Sequence, residues 1–142
     1  MIHFIPSIGS TTAALDAEHT RLDVIAQNIA NANTTRGPDG KPYQRQVVVF
    51  ETTLQQAQDG LTGAQTPTLR VASIQKDNRP PQMVSLPGHP DADANGMVAM
   101  PNINIHEEMA DMIVASRTFE ANLAVVKNAR NLALQALGIG KR

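Results

Sequence analysis

An acidic stretch near residue 90 has the spacing that opens a calcium-binding loop. Asp91, Asp93 and Asn95 alternate and Gly96 follows, as in the first half of an EF-hand loop. That loop also needs a bidentate Glu at its twelfth position, where this chain has Asn102, and the nearby prolines oppose the two flanking helices. The Asn-Gly pair instead favours a hairpin turn, because both residues tolerate positive φ. We therefore predict a turn and no calcium site.

A second pattern resembles half of a zinc motif. His106 and Glu107 begin an HExxH-like sequence, but Ala110 stands where the second histidine must be. The other histidines have no metal-ligand spacing: His3, His19 and His89. The sequence has no cysteine, no glycine-rich phosphate loop and no G-x-S-x-G elbow. We predict no catalytic residues, no metal and no cofactor, and hence a protein that is not an enzyme.

Composition and charge narrow the function classes further. The 142 residues suit one domain, and with 3% aromatic residues and no Trp the core must be aliphatic, which favours helix packing. A formal net charge of −1 without a basic patch argues against a nucleic-acid partner. The segment MIHFIPSIGS lacks a basic n-region, and no run approaches the roughly 20 apolar residues of a membrane span. We therefore expect neither a Sec signal peptide nor a direct membrane span.

Both ends of the chain have helical periodicity. An amphipathic helix is predicted over Ile8–Asn33, with Ser10 or Thr11 as its N-cap. A longer helix of about 50 Å is predicted over Ile105–Leu137, with Asn104 as its cap. Apolar residues recur along the second helix at alternating intervals of four and three, which is the heptad spacing of a coiled coil.

The middle of the chain is predicted to be β-rich. Alternating and β-branched residues indicate strands at Tyr43–Thr52 and Thr68–Gln75, joined by a loop over Gln55–Thr68. A hairpin is predicted from Gln82–Leu86 and Gly96–Met100. The fold class is α+β, in which two long terminal helices pair as one discontinuous coiled-coil domain around a small β-rich region. The predicted divisions are 1–35 for the first helix, 36–101 for the β region and 102–142 for the second helix.

Periodicity alone leaves two interpretations of the helical faces. The terminal helices could pack on each other within one molecule, or against other copies and other proteins. Glu18, Ser116 and Arg130 interrupt the apolar rows, and such polar interruptions can set register and partner choice.

Two blocks of the sequence resemble a known family. The similarity is to flagellar basal-body rod proteins, and two segments carry it: RLDVIAQNIANANT, which starts at Arg21, and HPDADANGMVAMPNINIHEEMADMIVASRTFEANLAVV, which starts at His89. The second block resembles the proximal rod proteins of the FlgC type, whereas the first is shared by rod, hook and hook-associated proteins. The likeness runs from about Ser10 to Leu137 and includes GPDGKPYQRQVVVF. Met97 stands where the family often has Tyr, and Gln27 where it often has Asn.

The resemblance implies a structural role in motility. Family members are exported by the flagellar type III apparatus without a cleaved signal peptide. They assemble in the periplasm into a helical tube, the rod, which transmits torque. The implied partners are other copies of the chain, the B-, F- and G-type rod proteins, the basal-body adaptor FliE and the export apparatus.

If the chain is such a rod subunit, the apolar rows of the two helices are expected to pack within and between subunits. The expected subunit-packing residues are Leu15, Leu22, Ile25, Ile29, Met109, Met112, Phe119, Leu123, Val126 and Leu137. The expected residues for helix termination and interface hydrogen bonds are Asn28, Asn31 and Asn33. Three alternatives remain: another axial protein of the rod and hook family, a calcium-modulated adaptor, and a cell-wall hydrolase. The last two lack parts that their chemistry requires.

Overall fold

A computed structural model describes residues 5–56 and 65–139 of the chain. One long helix lies at each end of the chain, and two separate antiparallel strand pairs come between them in the sequence. This arrangement confirms the predicted α+β class. The elements in chain order are α1 (Ile5–Ala30), β1 (Gln46–Gln56), β2 (Gln65–Lys76), β3 (Gln82–Ser85), β4 (Met97–Met100) and α2 (Ile105–Ile139).

Helix α1 begins earlier and ends earlier than predicted. Ser10 and Thr11 lie inside it, so the predicted N-cap is wrong. Pro6 is the second residue of the helix, and the first turn tolerates proline because its N–H would have no intrahelical partner. After Ala30 the chain tightens into a turn, in which the Ala32 amide donates to the Ile29 carbonyl at 3.3 Å.

Helix α2 begins as predicted. The Asn104 side chain accepts a hydrogen bond from the His106 amide at 3.1 Å, which confirms Asn104 as the N-cap. The helix has 35 residues and is therefore about 52 Å long. No helix in the described ranges is long and apolar enough to cross a membrane.

The two helices run antiparallel, and α2 extends past α1. The end of α1 meets the start of α2, where Asn28 bonds to Glu108. Counting back along both helices from this contact places Ile5, the first described residue of α1, level with about residue 131 of α2. The last turns of α2 thus extend beyond the described part of α1.

Strands β1 and β2 form a long two-stranded ribbon. Their register runs from Gln46 opposite Lys76 to Gln56 opposite Gln65, with a bulge at Val49/Phe50. The predicted loop over 55–68 is therefore too long at both ends, because both strands extend into it. The rest of that predicted loop, 57–64, lies outside the described residues.

The acidic stretch forms the predicted turn before β4, but in the Asn-Gly pair Gly96 alone has a positive φ, and residues 86–96 separate β3 from β4. Asp93 Oδ1 accepts hydrogen bonds from the Asn95 and Met97 amides at 2.8 and 2.9 Å, and Gly96 has a φ of 72°. Asp91 Oδ2 accepts a hydrogen bond from the Thr35 hydroxyl at 2.8 Å. Both carboxylates therefore hold the turn and its neighbouring loop in place.

The described core is thin. Its buried hydrophobic residues are mostly small and aliphatic: Ala17, Val24, Ile25, Ala32, Val98 and Ala115. Val98 of β4 and Ala115 of α2 are completely buried. Because this core is small, polar contacts between elements must contribute much of the stability of the fold.

Candidate functional site

The end of α1, the start of β1 and the start of α2 meet at one buried asparagine. Asn28 is 1% exposed and uses its full hydrogen-bonding capacity. Its Nδ2 donates to the Gln46 carbonyl at 2.9 Å and to Glu108 Oε2 at 3.0 Å. Its Oδ1 accepts from the Gln46 amide at 2.9 Å and from the Tyr43 hydroxyl at 3.1 Å. One amide side chain thus joins three parts of the chain.

Glu108 brings a buried negative charge to the same point. It is 1% exposed, and its Oε1 accepts a hydrogen bond from Arg45 Nε at 2.6 Å. A buried carboxylate is costly unless it is paired and hydrogen-bonded, and here each of its oxygens has a partner. We call Asn28, Tyr43, Arg45, Gln46 and Glu108 the polar junction.

Further charges extend from the polar junction in both directions. Asp111 lies about 4 Å from the guanidinium groups of both Arg45 and Arg21, and Arg45 also lies 4.0 Å from Asp77. Arg21 lies 3.9 Å from Glu18, which is 7% exposed. Within the described structure, Glu18 Oε2 has no hydrogen-bond partner. The alternation of acids and arginines links both helices to the base of the β1–β2 ribbon.

Burial raises the pKa of the Tyr43 hydroxyl, and the nearby negative charge of Glu108 raises it further. The neutral hydroxyl is therefore the form that the fold stabilises, as its hydrogen bond to Asn28 requires. This contribution is complete below the pKa of an unfolded tyrosine and is lost as pH rises through the raised value.

The pKa of the Asp77 carboxyl is shifted in the opposite direction, downward. Hydrogen bonds from the Arg79 side chain and amide lower the pKa of this carboxyl, and the charges of Arg79 and Arg45 add to the effect. Its contribution to stability is therefore present above the pKa of an unfolded aspartate and is lost as pH falls through the lowered value.

A cleft of about 350 Å³ lies beside the polar junction, between the 37–46 loop and the end of β2. Its charged lining residues are Asp39, Lys41, Arg45, Lys76, Asp77 and Arg79. Asp77 is held by Arg79 and Arg45 rather than paired with a second acid. Across the described ranges, no group of three His, Asp or Glu residues is placed to hold a metal ion.

The expected packing residues of α1 differ in burial. Ile25 is 5% exposed, whereas Leu15, Leu22 and Ile29 are half-buried. Glu18 and Asn28 add buried polar side chains to the same helix.

The expected packing residues of α2 divide into two groups. Met112, Phe119 and Val126 are half-buried and recur every seven residues. Met109, Leu123 and Leu137 are 52%, 37% and 68% exposed. The single heptad row in the sequence therefore covers one line that faces α1 and a second line that remains exposed.

The three expected asparagines lie in different environments. Asn28 belongs to the polar junction, two residues before α1 ends. Asn31 lies just after the helix, and its Nδ2 donates to the Gln27 carbonyl at 2.9 Å. Asn33 is exposed.

Arg45 and Glu108 are not among the residues that the sequence predicts to be functional. Glu108 is at the start of α2, where an acid suits the helix dipole, and nothing local indicates that it is buried. Its partners, Asn28 and Arg45, are 80 and 63 residues away. Ala115 was also missed, because the apolar row passes through its neighbour Ser116.

Comparisons with known proteins identify flagellar relatives. The family model described as "Flagella basal body rod protein" matches residues 11–38, and "Flagellar basal body rod FlgEFG protein C-terminal" matches residues 94–139. Flagellar basal-body rod protein FlgC of Yersinia enterocolitica is 42% identical over 129 residues, covering 91% of this chain and 92% of the relative. The proteins of the same name from Borreliella burgdorferi and Bacillus subtilis are 40% and 30% identical, covering 94% and 95% of this chain and 95% and 97% of the relatives.

The polar junction yields a first prediction about stability. Asn28→Ala removes four hydrogen bonds and leaves Glu108 with Arg45 alone, so we expect a loss of about 2–4 kcal/mol in the free energy of unfolding. Asn33→Ala is the matched control, because this asparagine is exposed, and we expect it to change stability by less than about 0.5 kcal/mol. Urea unfolding followed by circular dichroism measures both. Equal losses in the two variants would contradict the importance of the junction.

The raised pKa of Tyr43 yields a second prediction, about alkaline pH. Tyr43→Phe removes the bond to Asn28, so at neutral pH we expect the variant to be less stable by about 1 kcal/mol. Because the unfolded tyrosine ionises first, the wild type should lose this advantage as pH rises above 10.0. Chemical unfolding of both proteins from pH 8 to about 11 tests this. A stability difference that stays constant over the range would show that Tyr43 does not titrate as described.

Proposed function

The chain belongs to the flagellar basal-body rod proteins of the FlgC type, and on that premise we propose that its terminal helices are the parts through which it assembles. It is a structural subunit of the rod of the bacterial flagellar basal body. The two segments that the family models match contain residues 11–30 of α1 and all of α2. The β1–β2 ribbon lies between them.

The exposed apolar surface of α2 is the observation that supports this proposal most strongly. Five aliphatic residues in the second half of the helix are 54–78% exposed: Val125, Leu132, Leu134, Leu137 and Ile139. The last turns, which contain Leu132, Leu134, Leu137 and Ile139, extend beyond the described part of α1. The described part of α1 therefore cannot cover these four residues. Contiguous exposed apolar surface of this kind marks sites of protein association.

We assign the packing residues to two kinds of contact. Those on the facing sides of the helices hold the pair together: Leu15, Leu22, Ile25, Ile29, Met112, Phe119 and Val126. The more exposed ones make contacts between subunits: Met109, Leu123 and Leu137. Asn28 fixes the helix pair to the β region, and Asn31 and Asn33 follow the end of α1, where they can bond to a neighbour.

The partners we propose are other copies of the chain, the rod proteins of the B, F and G types, and the adaptor FliE. Head-to-tail contacts that do not close into a ring generate a helical filament, which is the geometry of a tube that transmits torque. Joining the β region rigidly to the helices suits that load, because torque must pass between them.

We further propose that the chain lies in the periplasmic part of the basal body and is exported by the flagellar type III apparatus without a cleaved signal peptide. The family resemblance supports this location. We propose no catalytic role, since Asp77, Glu108 and Asp111 each lie beside an arginine and not beside a second carboxylate. The FlgC-named relatives align over nearly their full length, which favours this type over another axial protein of the family.

Motility gives the third prediction. In the source bacterium with its own gene deleted, we expect the wild-type chain to restore swimming and Leu123→Asp to fail, because a charge at this contact would be buried on assembly. Gln135→Asp is the matched control, because it introduces the same charge at an exposed position of α2, and we expect it to restore swimming. Swimming in soft agar and electron microscopy of purified basal bodies provide the measurements.

Two results would overturn parts of the proposal. Normal swimming and complete rods in the deletion strain would contradict the proposed function. Normal swimming with Leu123→Asp would contradict the assignment of Leu123 to a contact between subunits.

A further inference from the structure

Strand β1 has a free edge, and the bonds of Gln46 show which of its backbone groups point outward. Both the amide and the carbonyl of Gln46 bond to the side chain of Asn28, which belongs to α1 and not to β2. Backbone direction alternates along a strand, so every second residue of β1 points its amide and carbonyl the same way. These residues are Val48, Phe50, Thr52 and Leu54. In the described ranges, none of their outward backbone groups has a hydrogen-bond partner.

The opposite edge of the ribbon, on β2, is protected against pairing. Pro67 stands opposite Leu54 and has no N–H, so it removes one donor from the outward side of β2. The register skips Ala72 between Val71 and Ser73, and this extra residue breaks the regular spacing of the outward groups. Proline and bulges are the features that natural sheets use to prevent pairing at an edge.

Strand β1 has neither form of protection. Residues 46–54, QVVVFETTL, contain no proline, glycine or lysine, and most of them are β-branched or aromatic, which favours a strand. Glu51 is the one charged residue among them, and it forms an ion pair with Arg70 of β2. Leu54 is 64% exposed, although it lies on the same face of the strand as Phe50. An unprotected edge of this composition can pair with another strand.

We propose that β1 of one copy pairs antiparallel with β1 of a second copy, about a twofold axis at Thr52. The two ribbons then form one four-stranded sheet in the order β2–β1–β1–β2. The occupant is a second copy because β1 alone offers a regular edge within the ribbon, and two identical edges meet through a twofold axis. This contact is closed, so it differs from contacts that extend a tube, and it does not rest on the proposed function.

The side chains of β1 select the register of this pairing. An axis at Thr52 is the one symmetric arrangement in which the exposed Leu54 of each copy lies opposite Phe50 of the other, which gives an apolar cross-strand pair. An axis one residue earlier would set the two Glu51 side chains directly opposite each other, as like charges. An axis two residues earlier would require the outward groups of Gln46, which are already bonded.

A proline at the axis tests whether the edge is used. Thr52→Pro removes an outward N–H and no hydrogen bond within the ribbon, and the symmetry of the dimer makes the loss occur twice. We therefore expect the Kd of the dimer to rise at least about tenfold. Thr52→Val is the matched control, because it keeps the N–H and the β-branched shape, and it should dimerise like the wild type. Sedimentation velocity of the full-length chains at up to about 1 mM measures the Kd.

Cysteine substitutions test the register, because the chain has no cysteine of its own. In the proposed dimer the two copies of position 52 are directly opposite, with Cα atoms about 5.5 Å apart, which is within the range for a disulfide. Mild oxidation of Thr52→Cys should therefore give a covalent dimer. Thr53→Cys is the matched control, because its two copies are out of register and should not be joined.

Three results would overturn the proposal. The first is a wild type that stays monomeric over the whole concentration range. The second is association that Leu123→Asp weakens and Thr52→Pro does not, which would place the contact on α2. The third is a covalent dimer that forms as readily from Thr53→Cys as from Thr52→Cys. None of these results would restore swimming to the deletion strain, so they would leave the rod function standing.

Discussion

The buried charge of Glu108 is the constraint on which the rest of the described structure depends. A carboxylate out of contact with water is tolerated only with a countercharge and hydrogen-bond donors. Arg45 and Asn28 provide these, and they come from the start of the β region and the end of α1. Satisfying one charge therefore fixes where both helices and the β1–β2 ribbon lie relative to one another. The core around it is too small to do this by apolar packing alone.

The small core also accounts for how the two helices, which differ in length, are packed. The buried residues of α1 and α2 include the small side chains of Ala17 and Ala115. Further along α2, large aliphatic side chains are exposed and α1 has no described residue beside them. Stability within one molecule is thus concentrated at one end of the helix pair, and the capacity to bind other molecules is concentrated at the other.

Much of the fold could be predicted from local patterns. The cap of α2 at Asn104 and the turn at Gly96 depend on residues close together in the chain, whereas α1 ends at Ala30 and not at the predicted Asn33. The start of α1 was predicted too late, because two plausible capping residues, Ser10 and Thr11, lie inside a helix that continues through them. The junction could not be predicted, because Glu108 and Arg45 look like ordinary surface charges until distant segments meet. The heptad row of α2 was recognised, but periodicity does not say which of its two lines faces α1.

Hydrogen–deuterium exchange of the dilute chain tests the central claim most directly. In the unassembled protein, we expect slow exchange for the amides around Asn28 and Glu108, where buried polar contacts hold the elements together. We expect fast exchange for the last turns of α2, about 132–139, and slower exchange for the same amides in assembled rods. Strong protection along all of α2 in the dilute chain would contradict the account, because the helix would then be stable without a neighbouring molecule.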